Sequence, residues 1–437
     1  MTGPARLQGA VGALRERPLP AAGKGLGLLT AAGPVTTASL AARRLSLFGP
    51  ELAMPLLVLK QDALAHNIGA MARYCAEAGV QLAPHGKTTM APQIVARQIE
   101  AGAWGVTAAT ISQVQVFREF GVERVLLAIE LTEPAAVGWL AAELAADPGF
   151  DCYVYADSLD GVRLLQEGVK SAAPGGAGGA RPLPVLVELG QRGGRTGCRS
   201  AEQAEAVASA VTAAPGLRLA GVAGYEGSIG HDREPATLAE VTAFCRELRA
   251  LAARLPPPSG QDQYLVTAGG SLYFEIVVAE LTAPAGPGPA PAVMLRSGAY
   301  VTHDHGIYAR LTPAAQPGGT GPALVPALEL WARVLSAPEP GLAIAGAGRR
   351  DAPFDQGFPV PLRIRRADGQ EADAAGLRVT ALDDQHAYLQ LPAGCDLHPG
   401  DLVCLGISHP CTAFDKWQLI PVVDEDYRIT DVVRTFF

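Results

Sequence analysis

Short apolar runs alternate with segments of helical periodicity over most of the chain. MPLLVLK (54–60) has the length of a strand, and residues 61–79 then place apolar side chains at helical spacing and end on Gly79. The same succession recurs along the chain. Further strand-length runs span residues 80–87, 104–109, 124–130, 150–156, 183–190, 217–225 and 264–270. Repeated strand–helix units of this kind predict a parallel sheet covered by helices.

The number of these units predicts the architecture. About eight strand candidates between residues 54 and 300 favour a (β/α)8 TIM-type barrel over residues 46–309, ahead of an open doubly wound sheet. No GxGxxG follows the first strand, which weakens a dinucleotide-binding interpretation. From about residue 310 the pattern changes to short strand-like runs between Pro, Gly and Asp turns, which predicts a C-terminal all-β domain over 310–437.

Three stretches rich in Gly, Ala or Pro interrupt this pattern. Residues 1–45 have weak periodicity and are predicted to be an irregular extension that could contribute to the β domain. Segments 174–182 and 313–322 are predicted to be loops or connectors by composition.

Charge, targeting signals and cysteine usage narrow the class of partner. Of the 437 residues, 35 are Lys or Arg and 43 are Asp or Glu, so a net charge of −8 argues against nucleic acid or an anionic membrane as a partner. No apolar run approaches the roughly 20 residues that cross a bilayer, and the first forty residues do not resemble a signal peptide. Seven scattered cysteines without a CxxC pair indicate a reduced, cytoplasmic setting.

Lys87 ends the apolar run 80–87, where a strand gives way to a helix. Reactive residues of such barrels project from the carboxyl ends of strands. Partial burial beside His85 would lower the pKa of this lysine and make it a nucleophile or Schiff-base former. From position alone, a surface lysine at a strand end is the more frequent alternative.

The segment TAGGS (267–271) also follows a strand directly. Adjacent glycines let backbone N–H groups converge on an anion, and Thr267 and Ser271 add hydroxyl donors, a combination suited to a phosphate monoester. Turns that bind no ligand are commoner than this, so the alternative stays open.

His409 and Cys411 lie two residues apart in the β domain. In an extended segment, alternation places both side chains on one face, where an imidazole and a thiolate could hold Zn²⁺. The alternative is a core cysteine beside a structural histidine. His303, His305 and His231 lie near strand ends and could line the same cleft.

Several motifs in order resemble one known family. MPLLVLKQDALAHNI followed by APHGKTTMAP resembles the opening of the fold-type III pyridoxal-phosphate enzymes, in the branch of D-serine dehydratase and D-threonine aldolase. VELGQRGGRTGC (187–198), GYEGSIGH (224–231), TAGGS, LRSGAYVTHD (295–304) and SHPCTAFD (408–415) resemble later segments of that family in the expected order. The resemblance spans about residues 50–437 and includes an alanine racemase-like N-terminal barrel.

The resemblance implies roles for individual residues. Lys87 would be the Schiff-base lysine for pyridoxal 5'-phosphate and, with His85, a catalytic residue. Arg195 and Tyr225 would contact the cofactor ring or its phenolic oxygen. The implied phosphate-binding residues are Thr267, Gly269, Gly270 and Ser271, and the implied metal ligands are His409 and Cys411, with Zn²⁺ first and Mn²⁺ or another divalent ion as alternatives.

Substrate contacts and departures from the family pattern complete the comparison. His303, Asp304 and Tyr308 are predicted to contact the substrate. Ala83 stands where the family usually has Arg, and Thr89 stands where His is common, so contacts around the cofactor are expected to differ. The family also implies a homodimer.

The leading functional hypothesis is a D-3-hydroxyamino-acid ammonia-lyase that resembles D-serine dehydratase. In it Lys87 would remove the Cα proton and a metal would assist loss of the β-hydroxyl. The first alternative is retro-aldol cleavage to glycine and an aldehyde, as in D-threonine aldolase. Cys411 argues against it, because the family's aldolases tend to have Asp at that position. Amino-acid racemases and non-catalytic pyridoxal-phosphate-binding proteins are remoter alternatives.

Overall fold

A computed structural model describes residues 3–20, 23–31, 33–171, 181–255, 264–284 and 290–437. The segment 174–182, predicted to be a loop, therefore lies outside the described residues except at its last two positions. None of the helices within these ranges is long and apolar enough to cross a membrane.

The described residues form helices and strands in an alternating order followed by a strand-rich end. The helices are α1 Gly3–Glu16, α2 Gly27–Thr30, α3 Thr37–Arg43, α4 Gln61–Glu77, α5 Pro92–Glu100, α6 Ile111–Glu119, α7 Pro134–Ala146, α8 Leu159–Ser171, α9 Ala201–Ala213, α10 Pro235–Arg254, α11 Phe274–Leu281 and α12 Ile307–Leu311. The strands up to residue 300 are β1 Leu56–Lys60, β2 Gln81–Leu82, β3 Val106–Ala108, β4 Arg124–Glu130, β5 Asp151–Ala156, β6 Leu183–Leu189, β7 Leu217–Gly224, β8 Leu265–Ala268 and β9 Ala292–Leu295. The later strands are β10 Leu328–Glu339, β11 Leu342–Ala345, β12 Val360–Arg365, β13 Glu371–Asp373, β14 Arg378–Leu382, β15 Ala387–Gln390, β16 Leu402–Gly406, β17 Leu419–Val423 and β18 Ile429–Arg434.

The chain divides into two compact units. The barrel unit comprises Met1–Leu7, Ala72–Lys87 and Gln98–Gly298, and the sheet unit comprises Gln8–Met71, Thr88–Arg97 and Ala299–Phe437. This division differs from the predicted boundaries at residues 46 and 310, because the chain enters the sheet unit before and after the barrel strands.

The barrel unit contains eight parallel strands in the order β2-β9-β8-β7-β6-β5-β4-β3. A parallel bridge between His85 and Thr107, with the Thr107 N–H 2.9 Å from the Pro84 carbonyl oxygen, joins the two ends of the sheet. Buried side chains from the strands fill the interior, among them Leu126, Tyr155, Leu186, Ala220, Leu265 and Met294. The predicted (β/α)8 barrel is confirmed.

The first predicted barrel strand belongs to the other sheet. β1 pairs antiparallel with β10 and parallel with β17 in the sheet unit, whereas β9 supplies the eighth barrel strand. Residues Leu56–Leu59 are fully buried. A strand that is buried on both faces reads as a continuous apolar run in either sheet, so the run alone cannot indicate its partners.

The sheet unit is built on a mostly antiparallel sheet with the strand order β13-β12-β16-β10-β1-β17-β18, and β11, β14 and β15 extend it beside β10. The predicted strand-rich C-terminal region is thus confirmed. Pro410–Thr412 and Phe414–Lys416 form short 3-10 turns between β16 and β17.

The predicted irregular conformation of residues 1–45 is wrong for α1 and α3. Leu7 and Leu14 of α1 are spaced two turns apart and are 2% and 1% exposed, so a buried helical stripe stabilises a Gly- and Ala-rich sequence. Thr36 caps α3 by accepting a hydrogen bond from the Ser39 N–H at 3.1 Å. In the sheet unit, Lys24 forms an ion pair of 2.7 Å with the buried carboxylate of Asp351.

Candidate active site

The lysine predicted to react lies at the carboxyl end of a barrel strand. After β2 the chain continues through Pro84 and His85 into a 3-10 turn, Gly86–Thr88, that carries Lys87. The expected partial burial of Lys87 is not observed, because this residue is exposed. The turn therefore presents the lysine to solvent, where a carbonyl compound can reach its amine.

His85 beside this turn is held in its neutral form. Burial and the positive charges of Lys87 and Arg296 lower the pKa of His85 well below its ordinary value. Its Nδ1 atom is buried without a hydrogen-bond partner among the described residues, as is Oη of Tyr155. Buried polar atoms without partners are rare in native proteins, so these atoms fit a polar ligand bound at this end of the barrel.

Arg195 and Tyr225, both expected to contact the cofactor, lie against each other in the structure. Arg195 lies in the loop after β6, Tyr225 follows β7, and the guanidinium carbon lies 4.5 Å from the centre of the Tyr225 ring. A guanidinium stacked on an aromatic ring keeps its outer N–H groups available for oxygen acceptors. Contact of these two residues with a cofactor stays a prediction.

The two glycines of the predicted phosphate segment already bind an anion of the protein itself. The N–H groups of Gly269 and Gly270 donate to Oε2 and Oε1 of Glu226 at 3.0 and 2.6 Å. Glu226 is fully buried, and Gly269 has a φ of +97°, which favours glycine at this turn. These two N–H groups therefore already donate to a side-chain carboxylate. This interaction was not predicted from the sequence.

Thr267 and Ser271 flank the glycines in different surroundings. The buried Thr267 hydroxyl donates to the Met294 carbonyl oxygen and accepts from Nη1 of Arg296, both at 2.9 Å. Ser271 is half-buried. A phosphate at this segment would therefore be held by Ser271 more readily than by Thr267, whose proton is already donated.

Arg296 is a buried, charged residue that the sequence did not single out as a candidate site residue. It is 6% exposed, and its Nη2 donates to the Gly224 carbonyl oxygen at 2.6 Å. The available signal was its position directly after β9, because functional side chains of such barrels follow the strands. Glu226 likewise follows β7 by two residues.

Two acidic side chains on strands β4 and β6, which flank β5 in the barrel, influence each other. Burial and the negative charge of Glu188, near the end of β6, raise the pKa of Glu130 at the end of β4 to about 8. One of the two carboxyl groups therefore keeps a proton near neutral pH, because two adjacent carboxylates in an apolar environment repel each other.

In the sheet unit, His409 and Cys411 lie close enough to interact electrostatically. Residues 409–411 do not form a continuous strand, because His409 is extended and a 3-10 turn begins at Pro410. Of the seven cysteines, Cys411 and Cys395 are the two that are not buried. Oγ1 of Thr88 lies 3.4 Å from Sγ of Cys411.

An acidic side chain that is distant in sequence completes this arrangement. Nδ1 of His409 lies 2.6 Å from Oδ2 of Asp355, and the Thr412 hydroxyl donates to Oδ1 of Asp355 at 2.7 Å. Although burial opposes it, contact with Cys411 and Asp355 raises the pKa of His409 to about 9. Within the described ranges, no group of three or more His, Cys, Asp or Glu side chains has a metal-binding arrangement. An imidazole and a thiol nevertheless form a donor pair that suits Zn²⁺ with open coordination positions.

The three predicted substrate contacts differ in their surroundings. Asp304 accepts from the N–H groups of Gly306, Tyr308 and Ala309 and so caps α12. Burial raises the pKa of Asp304 to about 6. The Tyr308 ring lies 6.2 Å from the His409 ring, between centroids, which keeps Tyr308 as the strongest of the three predictions.

His303 is 5% exposed and has a φ of +48°, a strained conformation for a residue other than glycine. Burial and neighbouring His305 lower its pKa to about 4. Its burial and that of Asp304 favour structural roles over direct contact with a substrate.

Comparisons with family models match both units. The description "Alanine racemase, N-terminal domain" matches residues 59–261, and "Putative serine dehydratase domain" matches residues 327–423. The first match covers most of the barrel strands, and the second covers β10 to β17, including His409 and Cys411.

Curated relatives match over most of the chain. D-threonine aldolase of an Arthrobacter species is 26% identical over 370 residues, which is 84% of this chain and 88% of the relative. 3-Hydroxy-D-aspartate aldolase of Paracoccus denitrificans is 28% identical over 320 residues, which is 71% of this chain and 75% of the relative.

Solved structures share the fold over a similar extent. D-threonine aldolase from Filomicrobium marinum has a TM-score of 0.72 and 26% identity, covering 88% of this chain and 95% of that one. D-threo-3-hydroxyaspartate dehydratase from Delftia sp. HT23 has a TM-score of 0.67 and 21% identity over 88% of this chain and 98% of that one, which supports the fold. With both domain matches in the order expected from its motifs, the chain belongs to the fold-type III pyridoxal-phosphate enzymes, in the branch of D-threonine aldolase and D-serine dehydratase.

Proposed function

We propose that this protein is a pyridoxal-phosphate- and zinc-dependent ammonia-lyase of D-3-hydroxyamino acids, with D-serine as the first substrate to test. The observation that carries the choice of reaction is the position of Cys411, two residues after His409 and close enough to interact with it electrostatically. A thiolate and an imidazole favour Zn²⁺, whereas an oxygen ligand in place of Cys411 would favour a harder ion such as Mn²⁺.

The barrel residues supply covalent attachment and proton transfer in this proposal. Lys87 binds the cofactor, and its Nζ takes the proton from the substrate Cα. Bound pyridoxal phosphate supplies an electron sink for the resulting carbanion. His85 stays neutral near pH 7, so it adds no further positive charge beside Lys87. Arg195, stacked on Tyr225, offers its N–H groups to an oxygen of the cofactor.

The sheet unit supplies the metal ligands in this proposal. His409 and Cys411 would hold Zn²⁺ and leave coordination positions open, as in catalytic zinc sites. The chemistry that a metal held by these residues would supply is Lewis acidity toward the β-hydroxyl as a leaving group. Loss of the β-hydroxyl then yields an oxo acid and ammonia after hydrolysis.

An aldolase is the second candidate, and the relatives are the specific observation that favours it. Both curated relatives described above are named aldolases of D-3-hydroxyamino acids, at 26% and 28% identity. In that reaction the β-hydroxyl loses its proton and the Cα–Cβ bond breaks, which releases glycine and an aldehyde.

Product analysis separates the two reactions on the same substrates. From D-threonine, a dehydratase gives 2-oxobutyrate and ammonia, and an aldolase gives glycine and acetaldehyde. From D-3-hydroxyaspartate, the corresponding products are oxaloacetate and ammonia, or glycine and glyoxylate. We expect oxo acid and ammonia, in amounts that EDTA removes and added Zn²⁺ restores. Glycine without oxo acid would reverse the ranking, and racemisation that is insensitive to EDTA would replace both candidates.

The cofactor lysine is tested by absorbance. The holoenzyme is expected to have a band near roughly 420 nm that Lys87→Ala abolishes. Lys170→Ala is the matched control, because Lys170 is also exposed and lies in the last turn of α8. A band that persists in Lys87→Ala would exclude Lys87 as the attachment residue.

A further inference from the structure

We propose that Asp355 is a positioning residue for the metal pair, holding His409 in the tautomer that presents Nε2 to the metal. This inference rests on the metal-dependent function proposed above. It adds a residue from outside the SHPCTAFD segment (408–415), which carries both proposed metal ligands. Asp355 lies 54 positions before His409 in the sequence.

The hydrogen bond between the two residues has a defined direction. Nδ1 of His409 lies 2.6 Å from Oδ2 of Asp355. An ionised carboxylate only accepts hydrogen bonds, so the proton lies on Nδ1 and the imidazole donates it. A bound metal would take the place of the proton on Nε2. With the remaining proton held on Nδ1 by Asp355, Nε2 is the atom left to bind the metal.

The carboxylate is itself fixed in place. The Thr412 hydroxyl donates to Oδ1 of Asp355 at 2.7 Å, so each carboxylate oxygen has one partner. The Asp355 side chain is 42% exposed, and packing alone would not hold it in one rotamer. Thr412 follows His409 by three residues in the turn that begins at Pro410, so one turn carries His409, Cys411 and the anchor of Asp355.

Such an arrangement affects a metal site in two ways. A carboxylate on the far nitrogen fixes the ring orientation and raises the basicity of the ligating nitrogen. Removal of such a partner typically costs about 10- to 100-fold in metal affinity. The contribution of Asp355 should therefore appear in zinc binding measured without any substrate.

A second histidine–aspartate pair in the sheet unit provides the control. His398 Nε2 lies 3.2 Å from Asp396 Oδ2, and the side chains are 69% and 70% exposed. This pair is also an imidazole beside a carboxylate, but it lies outside the SHPCTAFD segment (408–415). Asp396→Asn therefore reports what loss of a surface carboxylate does by itself.

The experiment measures zinc affinity of the full-length holoenzyme by competition with a chromophoric chelator. Relative to the unaltered protein, we expect Asp355→Ala to weaken zinc binding by about 10- to 100-fold. Asp355→Asn should be intermediate, because its amide oxygen still accepts a hydrogen bond but carries no charge. Thr412→Val should weaken binding by a smaller factor, and Asp396→Asn should leave it unchanged.

The cobalt-substituted protein provides a second readout that a purely structural role would not change. Asp355→Ala should shift the visible bands of bound Co²⁺, while thermal unfolding of the metal-free protein changes little. Zinc affinity within twofold of the unaltered protein for both Asp355→Ala and Thr412→Val would overturn the inference. If the unaltered protein binds zinc tightly but D-amino acids yield no ammonia, the proposed reaction fails while the positioning role of Asp355 stands.

Discussion

Replacement of Gly86 by alanine tests how the turn that carries Lys87 is held against the barrel core. A Cβ at this position would lie 2.3 Å from Cζ of Phe117 and 2.8 Å from Cγ2 of Val106. Carbon atoms at optimal separation are about 3.5–4.0 Å apart. The space beside Gly86 is therefore already filled by side chains of the barrel core.

The expected magnitude follows from the burial of these neighbours. Phe117 and Val106 are fully buried, so neither side chain can move into solvent to admit a methyl group. Overpacking of this kind typically costs about 1–3 kcal/mol. An overlap of this size on a rigid ring places Gly86→Ala near the upper end, about 3 kcal/mol in the free energy of unfolding.

The assay is denaturant unfolding of four proteins: the unaltered chain, Gly86→Ala, Phe117→Leu and the double variant. Phe117→Leu opens space and should cost about 1–3 kcal/mol by itself. The double variant should cost less than the sum of the two, by at least about 1 kcal/mol, because the smaller side chain relieves the overlap. Gly12→Ala in α1 is the control, since nothing lies within 4 Å of its added Cβ, and it should stabilise by roughly 0.5–1 kcal/mol.

Two outcomes would refute this reasoning. One is a cost of Gly86→Ala below about 0.5 kcal/mol, the range typical of surface substitutions. The other is strict additivity in the double variant, which would mean that the cost of the methyl group does not arise from Phe117.

Three further predictions concern buried or paired carboxylates. Burial and Glu188 raise the pKa of Glu130 from 4.5 to about 8, so the folded protein keeps a proton that the unfolded chain releases, and stability falls as the pH rises from about 4.5 to 8. Glu130→Gln should flatten this profile in denaturation at pH 5–8; an unchanged slope would contradict the assignment. Hydrogen bonds from Arg118, the Gly149 N–H and Arg6 lower the pKa of Asp147 from 3.8 to about 2, so its stabilisation is complete above about pH 4 and is lost as the pH falls towards 2. Asp147→Asn should cost ~1 kcal/mol at pH 7 and less on acidification, whereas a cost independent of pH would reject the charge effect. Glu226→Gln should destabilise by about 1–3 kcal/mol in thermal unfolding, because its amide group cannot accept both glycine N–H groups; unchanged stability would show that these bonds contribute little.

The alternating pattern was sufficient to predict the barrel, because the two periodicities that distinguish strands from helices are local properties of the chain. Seven of the eight predicted strand runs lie in the barrel. The exception is β1, whose buried run is equally suited to either sheet. The strand that replaces it, β9, spans four residues and was too short to stand out.

The sequence by itself also determined which candidate residues lie after strands of the barrel. Lys87 and the TAGGS segment were singled out by their positions at strand ends, and in the structure Lys87 follows β2 and TAGGS spans the end of β8. Arg195 and Tyr225 were named from the family resemblance, and the stacking of one on the other was not predicted. The spacing of His409 and Cys411 predicted their proximity, although a turn rather than a strand brings them together.

Only the tertiary structure decided which groups these residues bind. Asp355 reaches His409 across 54 positions, Glu226 reaches Gly269 across 43, and Arg296 reaches Gly224 across 72. Hydrogen-bond partners, burial and the resulting pKa shifts depend on segments brought together by folding, and local periodicity carries no information about them. Local periodicity therefore predicted the strands and the candidate residues that follow them, whereas folding determined which hydrogen bonds and charges surround those residues.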